Sequence, residues 1–496
     1  MGGMHGADIW ILRQNGKGEY YMQDSFSTTT ATPIADSQQD VELLTAPDSA
    51  ANHTVFTFMR PLKTCDPDND HEIKEGLSQH LIWAYGSSEG SLNYHGPKTR
   101  GNAAATLFHD PSSVDTRAES LQAVQALQAA SELKVFEIQF PNVTVPPAHT
   151  TYLCTHFQVP ADRKYHVVQY EAILTTKLVH HMIIYGCVDK PKSFGDLYEC
   201  ASMSPSCSKF TLAWAPGIGL NVLPKEVGFP FGTGTNALRY FSLQIHYNNP
   251  NALSNIIDSS GMRLFYTTQL RPNDMGVLIL GDTNFNISGN DPSYYSTQWN
   301  VCPTACTKQF PTNLTIINNF FHMHMLGQNS TTRQIRDGKE IVPLGAVHYY
   351  DFNFQGGLAP FQKGAVISPG DTLLTKCAYI PTLNVRSNYT VFGESTEDEM
   401  CFNFLTYYPA MSDIEFCLSG DNATNPQAAC GNDLRMGNKT RSQLEKEGLL
   451  VPAPFPVFEE YKAPVCTPSF VVNPKLSGIV TMGLSLGLVA LVVFLL

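Results

Sequence analysis

Two short stretches concentrate residues suited to metal chemistry. Lys177–Cys187, KLVHHMIIYGC, sets His180 and His181 side by side in an apolar, strand-like run. A neutral imidazole removed from water still needs partners at both ring nitrogens, so packing alone gives a buried strand no reason to carry two of them. Successive side chains of a regular strand face opposite ways, and the doublet converges on one ligand only through a local irregularity. Asn319–Gly327, NFFHMHMLG, places His322 and His324 two apart. On a strand that spacing turns both imidazoles to one face, where they can share a metal. Two further segments carry single candidates: His246 in LQIHYNNP, and Met400 beside Cys401 after the acidic loop GESTEDE. Each alone reads more simply as a satisfied core histidine and a core-filling thioether. Met182, next to the doublet, is explained by packing.

These residues need a scaffold, and the surrounding text is written for strands. From Phe136 onward, short apolar alternations are broken by Pro, Gly, Asn and Asp with little helical periodicity, the habit of β-sandwiches. The expected fold class is all-β, with two consecutive antiparallel, jelly-roll-like sandwiches over residues 135–284 and 285–450. Ahead of them, residues 1–118 hold a strand–turn–strand around Asn15-Gly16 and further strand patterns at His53–Phe58 and His80–Tyr85, too few to close a sandwich. Residues 119–134, SLQAVQALQAASEL at their centre, form a helical linker. Residues 451–475 form a tail, and the uncharged LSGIVTMGLSLGLVALVVFLL, 476–496, is long enough to cross a bilayer or to serve as a lipid-anchor signal.

The bulk numbers narrow the function. With 496 residues, 43% hydrophobic and 15% charged, the chain folds into several cores, and its net charge of -12 without a Lys/Arg block lacks the electrostatic footprint expected of a nucleic-acid binder. Twelve cysteines outside any repeated CxxC pattern, together with eight Asn-x-Ser/Thr sequons, place the body in the secretory lumen or outside the cell, anchored to the membrane. The first residues lack the apolar core of a signal peptide, so the native leader is expected to be missing. The competing reading, a tail-anchored cytosolic protein, leaves twelve cysteines in a reducing compartment.

The order HHM, QIHYNNP, HMHMLG, EMC resembles the copper type II, ascorbate-dependent monooxygenases, the family of dopamine β-monooxygenase and peptidylglycine α-hydroxylating monooxygenase. The resemblance runs from about Thr150 to Cys417 and reaches the N-terminal region through FMRP and TCDP, which look like part of a DOMON domain. It implies two copper ions per chain: His180, His181 and His246 hold the electron-storing site, and His322, His324 and Met400 hold the site where dioxygen binds and a C–H bond is broken. These donors suit the metal, since imidazole serves both oxidation states and a thioether favours Cu(I). His322 and Tyr152 stand at catalytic positions by the same resemblance, although a strand tyrosine packed beside a disulfide explains Tyr152 equally well. Ascorbate is the implied reductant, and dioxygen and a small molecule are the implied partners.

The resemblance also implies disulfides Cys154–Cys200, Cys187–Cys207, Cys302–Cys417, Cys306–Cys430, Cys377–Cys401 and Cys65–Cys466; spacing does not fix connectivity. The peptide-amidating branch places an arginine two residues before its HxH to hold a carboxylate, whereas this chain has Phe320 there, with Phe402 and Phe404 after the methionine. A peptide C-terminus is therefore a poor substrate, and an aromatic, amine-like molecule a better one. The alternatives are a non-catalytic, membrane-tethered DOMON and copper-binding protein, and a zinc hydrolase, which the lack of HExxH disfavours. The sequence leaves the oligomeric state open, a homodimer included.

Overall fold

A computed structural model describes the chain apart from residues 1–3, 5, 51–52, 67, 74–77, 87–91, 97, 107–115, 202, 217, 284, 290–295, 348–349, 353–354, 356–363, 381–388, 413, 421–426, 432–449, 463–489 and 496. Two units emerge, one from Met1–Asp115 with Lys462–Leu496 and one from Thr116–Tyr461.

In the first unit, Asp8–Gln14 pairs antiparallel with Tyr20–Phe26 across a hairpin closed by Asn15 and Glu19, with the left-handed residue at Gly18 (φ 83°). Alternation along this strand buries both faces: Ile9 and Ile11 pack with Ala7 and Ala84, while Trp10 and Leu12 pack with Met22, Val41, Ile73 and Leu81. The segment expected to form a transmembrane helix departs from that expectation where it is described. Ala490–Leu495 is a strand, antiparallel to Asp8–Gln14 on one side and to Ser78–Gly86 on the other. Apolar runs this short suit a strand buried on both faces as well as a helix, and pairing decides between them. Residues 476–489 lie outside the described residues, among which no helix is long and apolar enough to cross a membrane.

This unit also buries a charged cluster. Arg60 lies 2.5 Å from Asp8 and 3.5 Å from Asp70, and Asp8, Asp24 and Asp70 bring carboxylate oxygens within 4.8 Å of one another. One guanidinium does not neutralise three carboxylates, and burial pushes Asp8 up to about 8 and Asp24 up to about 7 against the pull of Arg60.

The second unit opens with the helix Thr116–Ala129, which starts ahead of the expected linker and ends where Ser131 turns left-handed (φ 59°). Two β-sandwiches follow. The first stacks the sheet Tyr198–Glu199, Thr150–Gln158, Tyr240–Asn248, Val179–Cys187, Lys209–Trp214 on a sheet built around Lys164–Ile173. Val167, Ile184, Phe241, Leu243, Ile245 and Met262 fill the space between them. The second sandwich begins at Gly276, ahead of the boundary expected at Phe285, because Gly276–Asp282 pairs with Cys401–Tyr408. Its other sheet is Ser296–Cys302, Thr372–Tyr379, Gly327–Arg336 and Lys339–Glu340.

Five disulfides tie the sandwiches: Cys154–Cys200, Cys187–Cys207, Cys302–Cys417, Cys306–Cys430 and Cys377–Cys401. Cys65 is disulfide-bonded as well, and its expected partner Cys466 lies outside the described residues.

Candidate metal centre

Strand register gathers the first three histidines. Val179–Cys187 runs antiparallel to Tyr240–Asn248 with His181 opposite His246, and the register shifts between Val179 and His181. His180 is thus the extra residue of a bulge, the irregularity an adjacent pair needs if both rings are to converge. The ligand nitrogens of His180, His181 and His246 all lie within 4.8 Å of one another, and all three residues are buried. The Nδ1 atoms of His180 and His181 are 3.3 Å apart.

Hydrogen bonding fixes which nitrogen of His180 carries the lone pair. His180 Nε2 donates to the Phe352 carbonyl at 2.9 Å, leaving Nδ1 as its lone-pair atom. His246 Nε2 faces the Thr396 hydroxyl at 3.4 Å, while its Nδ1 is buried with no hydrogen-bond partner among the described residues. Desolvation holds His180 down to about 4 and His181 and His246 well below the ordinary histidine range. The three rings are therefore neutral near pH 7, with donor nitrogens converging on one another.

The second set sits where Leu314–His322 leaves its sheet. His322 pairs with Phe402 and the strand ends there; the backbone N–H groups of His324 and Met400 both reach Glu399 Oε2. The His322 and His324 rings are 5.3 Å apart. His322 Nδ1 donates to Gln355 Oε1 at 2.7 Å, and His324 Nδ1 donates to the Asp398 carbonyl at 3.0 Å. Gln355 Nε2 donates to the Phe352 carbonyl at 2.9 Å, which fixes the orientation of the amide. Both rings therefore present Nε2 as the lone-pair nitrogen, the reverse of the arrangement at His180. Burial lowers His322 to about 4, with the Gln355 bond pulling the other way. Met400 is buried; its carbonyl accepts the Tyr379 hydroxyl at 2.8 Å.

The two sets adjoin, with His181 and His322 ring centroids 5.6 Å apart. Phe352 and Gln355 serve both: the Phe352 ring stacks on His180 at 4.0 Å, its carbonyl takes hydrogens from His180 and Gln355, and Gln355 holds His322. Neither residue belongs to a motif, and nothing in the sequence flags them. Glu399, inside the acidic loop, carries contacts that its sequence position does not announce.

Tyr152 lies on the three-histidine side. Its ring stacks on His246 with centroids 4.3 Å apart and planes 12° apart, and its hydroxyl donates to the Glu394 carbonyl at 2.9 Å. Burial pushes its phenol well above the ordinary tyrosine range.

A row of half-buried aromatic rings flanks the other side of His322. Phe320 lies 6.4 Å from the His322 ring and Phe404 6.5 Å, and Phe210 stacks on Phe404 at 4.2 Å.

Comparison with known proteins places this geometry in a family. Residues 136–254 match the model of the copper type II ascorbate-dependent monooxygenase N-terminal domain, residues 273–429 that of its C-terminal domain, and residues 1–86 that of the DOMON domain. The chain is 32% identical over 435 residues to DBH-like monooxygenase protein 1 of Gallus gallus, covering 83% of this chain and 67% of that protein. It is 31% identical over 436 residues to dopamine beta-hydroxylase of Canis lupus familiaris, covering 84% and 66%. It is also 31% identical over 431 residues to DBH-like monooxygenase protein 2 of Mus musculus, covering 83% and 65%. The chain belongs to the copper type II ascorbate-dependent monooxygenases, oxidoreductases that use copper and ascorbate.

Proposed function

We propose that this chain hydroxylates a C–H bond of a small aromatic, amine-like molecule with dioxygen. In this reading His180, His181 and His246 hold one copper through Nδ1, and His322 and His324 through Nε2, with the Met400 thioether, hold the other. The convergence of one ring nitrogen from each of the three buried histidines to within 4.8 Å, with His246 Nδ1 buried and without a hydrogen-bond partner among the described residues, carries the assignment of the first site. Copper bound at these positions supplies one-electron storage and dioxygen activation, with ascorbate as reductant.

The residues do the positioning. The Phe352 carbonyl and Gln355 orient His180 and His322 and keep their distal nitrogens protonated. Tyr152 holds the His246 ring by stacking. Phe320, Phe404 and Phe210 offer an apolar, aromatic surface beside His322, against which a substrate ring can pack with its side chain toward the histidines. Phe320 provides no guanidinium fork, which disfavours a peptide carboxylate there. Five disulfides and sequons with exposed asparagines at Asn142, Asn286 and Asn313 support a body in the secretory lumen or outside the cell.

The test is ascorbate-dependent oxygen uptake by the copper-loaded chain, offered phenethylamines and, separately, glycine-extended peptides. Uptake matched by benzylic hydroxylation of the amines alone is expected. Turnover of the peptides alone overturns the substrate class, and copper binding with no turnover of either supports a non-catalytic binding protein instead.

A further inference from the structure

Glu399 is a ligand in neither set, yet it joins the two segments that carry the second. Its carboxylate is fully buried. Oε2 accepts the backbone N–H of His324 at 2.8 Å and, at longer range, that of Met400 at 3.3 Å; Oε1 accepts the N–H of Leu326 at 2.5 Å. The turn from His322 to Gly327 has left its strand at this point, so these amides have no ladder to enter, and the carboxylate takes the place of one. The main chain of Glu399 is itself pinned: its N–H donates to Val391 at 3.0 Å and its carbonyl accepts from Gly393 at 3.2 Å. On the far side of the turn, the Tyr350 hydroxyl accepts the Met323 N–H at 3.0 Å.

We propose that Glu399 is a positioning residue of the dioxygen site. By clamping the His324 turn to the segment that carries Met400, it sets the separation between the imidazole and thioether donors before any metal arrives. The inference rests on the copper reading of His322, His324 and Met400. A carboxylate suits the task because each of its oxygens accepts a backbone N–H of the turn. A glutamine cannot replace it, since its NH2 would confront a backbone N–H at one of the two positions.

The test compares Glu399→Gln and Glu399→Asp with the wild-type full chain. In the metal-free protein, Glu399→Gln should speed amide hydrogen exchange at His324 or Leu326 by about 10-fold or more, with Val179–Cys187 unchanged. In the Cu(I)-loaded protein it should diminish the sulfur contribution to the copper X-ray absorption spectrum and weaken the second copper by about 10- to 100-fold. The first copper should be retained, and Glu399→Asp, which keeps two acceptor oxygens, should recover part of both signals. Unchanged exchange and sulfur signal in Glu399→Gln overturn the proposal. Equal loss of both coppers with a lowered unfolding temperature also overturns it, since that marks a general structural role. Absence of sulfur scattering in the wild type itself instead refutes the ligand reading beneath it, and the inference falls with it.

Discussion

Replacing Gln355 with leucine tests the idea that one segment supports both sets of histidines. Gln355 is 2% exposed; its Oε1 lies 2.7 Å from His322 Nδ1 and its Nε2 2.9 Å from the Phe352 carbonyl. Leucine fills similar volume but offers no acceptor, so the N–H of a buried imidazole is stranded at about 1–3 kcal/mol. The neutral ring can instead switch tautomer and lose its lone pair at Nε2, which costs the metal a ligand. Either route weakens the second copper by about 10- to 100-fold, the range usual for loss of such a supporting hydrogen bond. His180 keeps its backbone acceptor at Phe352, so the first copper should bind nearly as in the wild type. Titration of Cu(I) against a chromophoric chelator resolves the two affinities. Unchanged affinity at the second site, or equal weakening at both, would refute the reasoning.

Tyr152→Phe keeps the ring on His246 and removes only the bond to the Glu394 carbonyl, about 1 kcal/mol. Turnover within about 10-fold of wild type with both coppers retained is the expected result; a far larger loss at full copper loading would give the phenol a direct part in the chemistry. In the first unit, burial lifts Asp8 to about 8 and Asp24 to about 7 in the folded chain, well above the ordinary carboxylate range, so the native state holds extra protons there. The stability these protons contribute is complete below the ordinary carboxylate range and is lost as pH rises toward about 8. Hydrogen exchange of Asp8–Gln14, corrected for its intrinsic pH dependence, should show protection falling across that window, and protection that rises would contradict the buried-carboxylate account.

Much of the site was legible in one dimension because its ligands are chemically conspicuous. Imidazoles in apolar strands demand partners, HxH names its own face, and the succession HHM, QIHYNNP, HMHMLG, EMC identified the family that the comparisons show. The β-rich texture and the paired cysteines were equally open to reading, since alternation and turn residues act over a few positions and an oxidised framework leaves its count in the composition.

Other features depend on contacts between residues far apart in the chain, and there the sequence was silent or misleading. The apolar C-terminal run reads as a membrane helix until the backbone of Ala490–Leu495 finds open edges at Asp8–Gln14 and Ser78–Gly86. The strand Gly276–Asp282 looks like the close of one sandwich and is paired into the next.

Sequence alone therefore pointed to the candidate ligands and the all-β class through residue types and short-range spacing, and to the redox chemistry through the order of its motifs. Only the tertiary structure decided that a bulge at His180 turns two neighbours toward His246, which nitrogen of His180, His322 and His324 is left with its lone pair free, and that Phe352, Gln355 and Glu399 hold these segments in place. Those decisions rest on single hydrogen bonds closed across long stretches of chain, and a glutamine or glutamate carries no local mark of the partner it will meet.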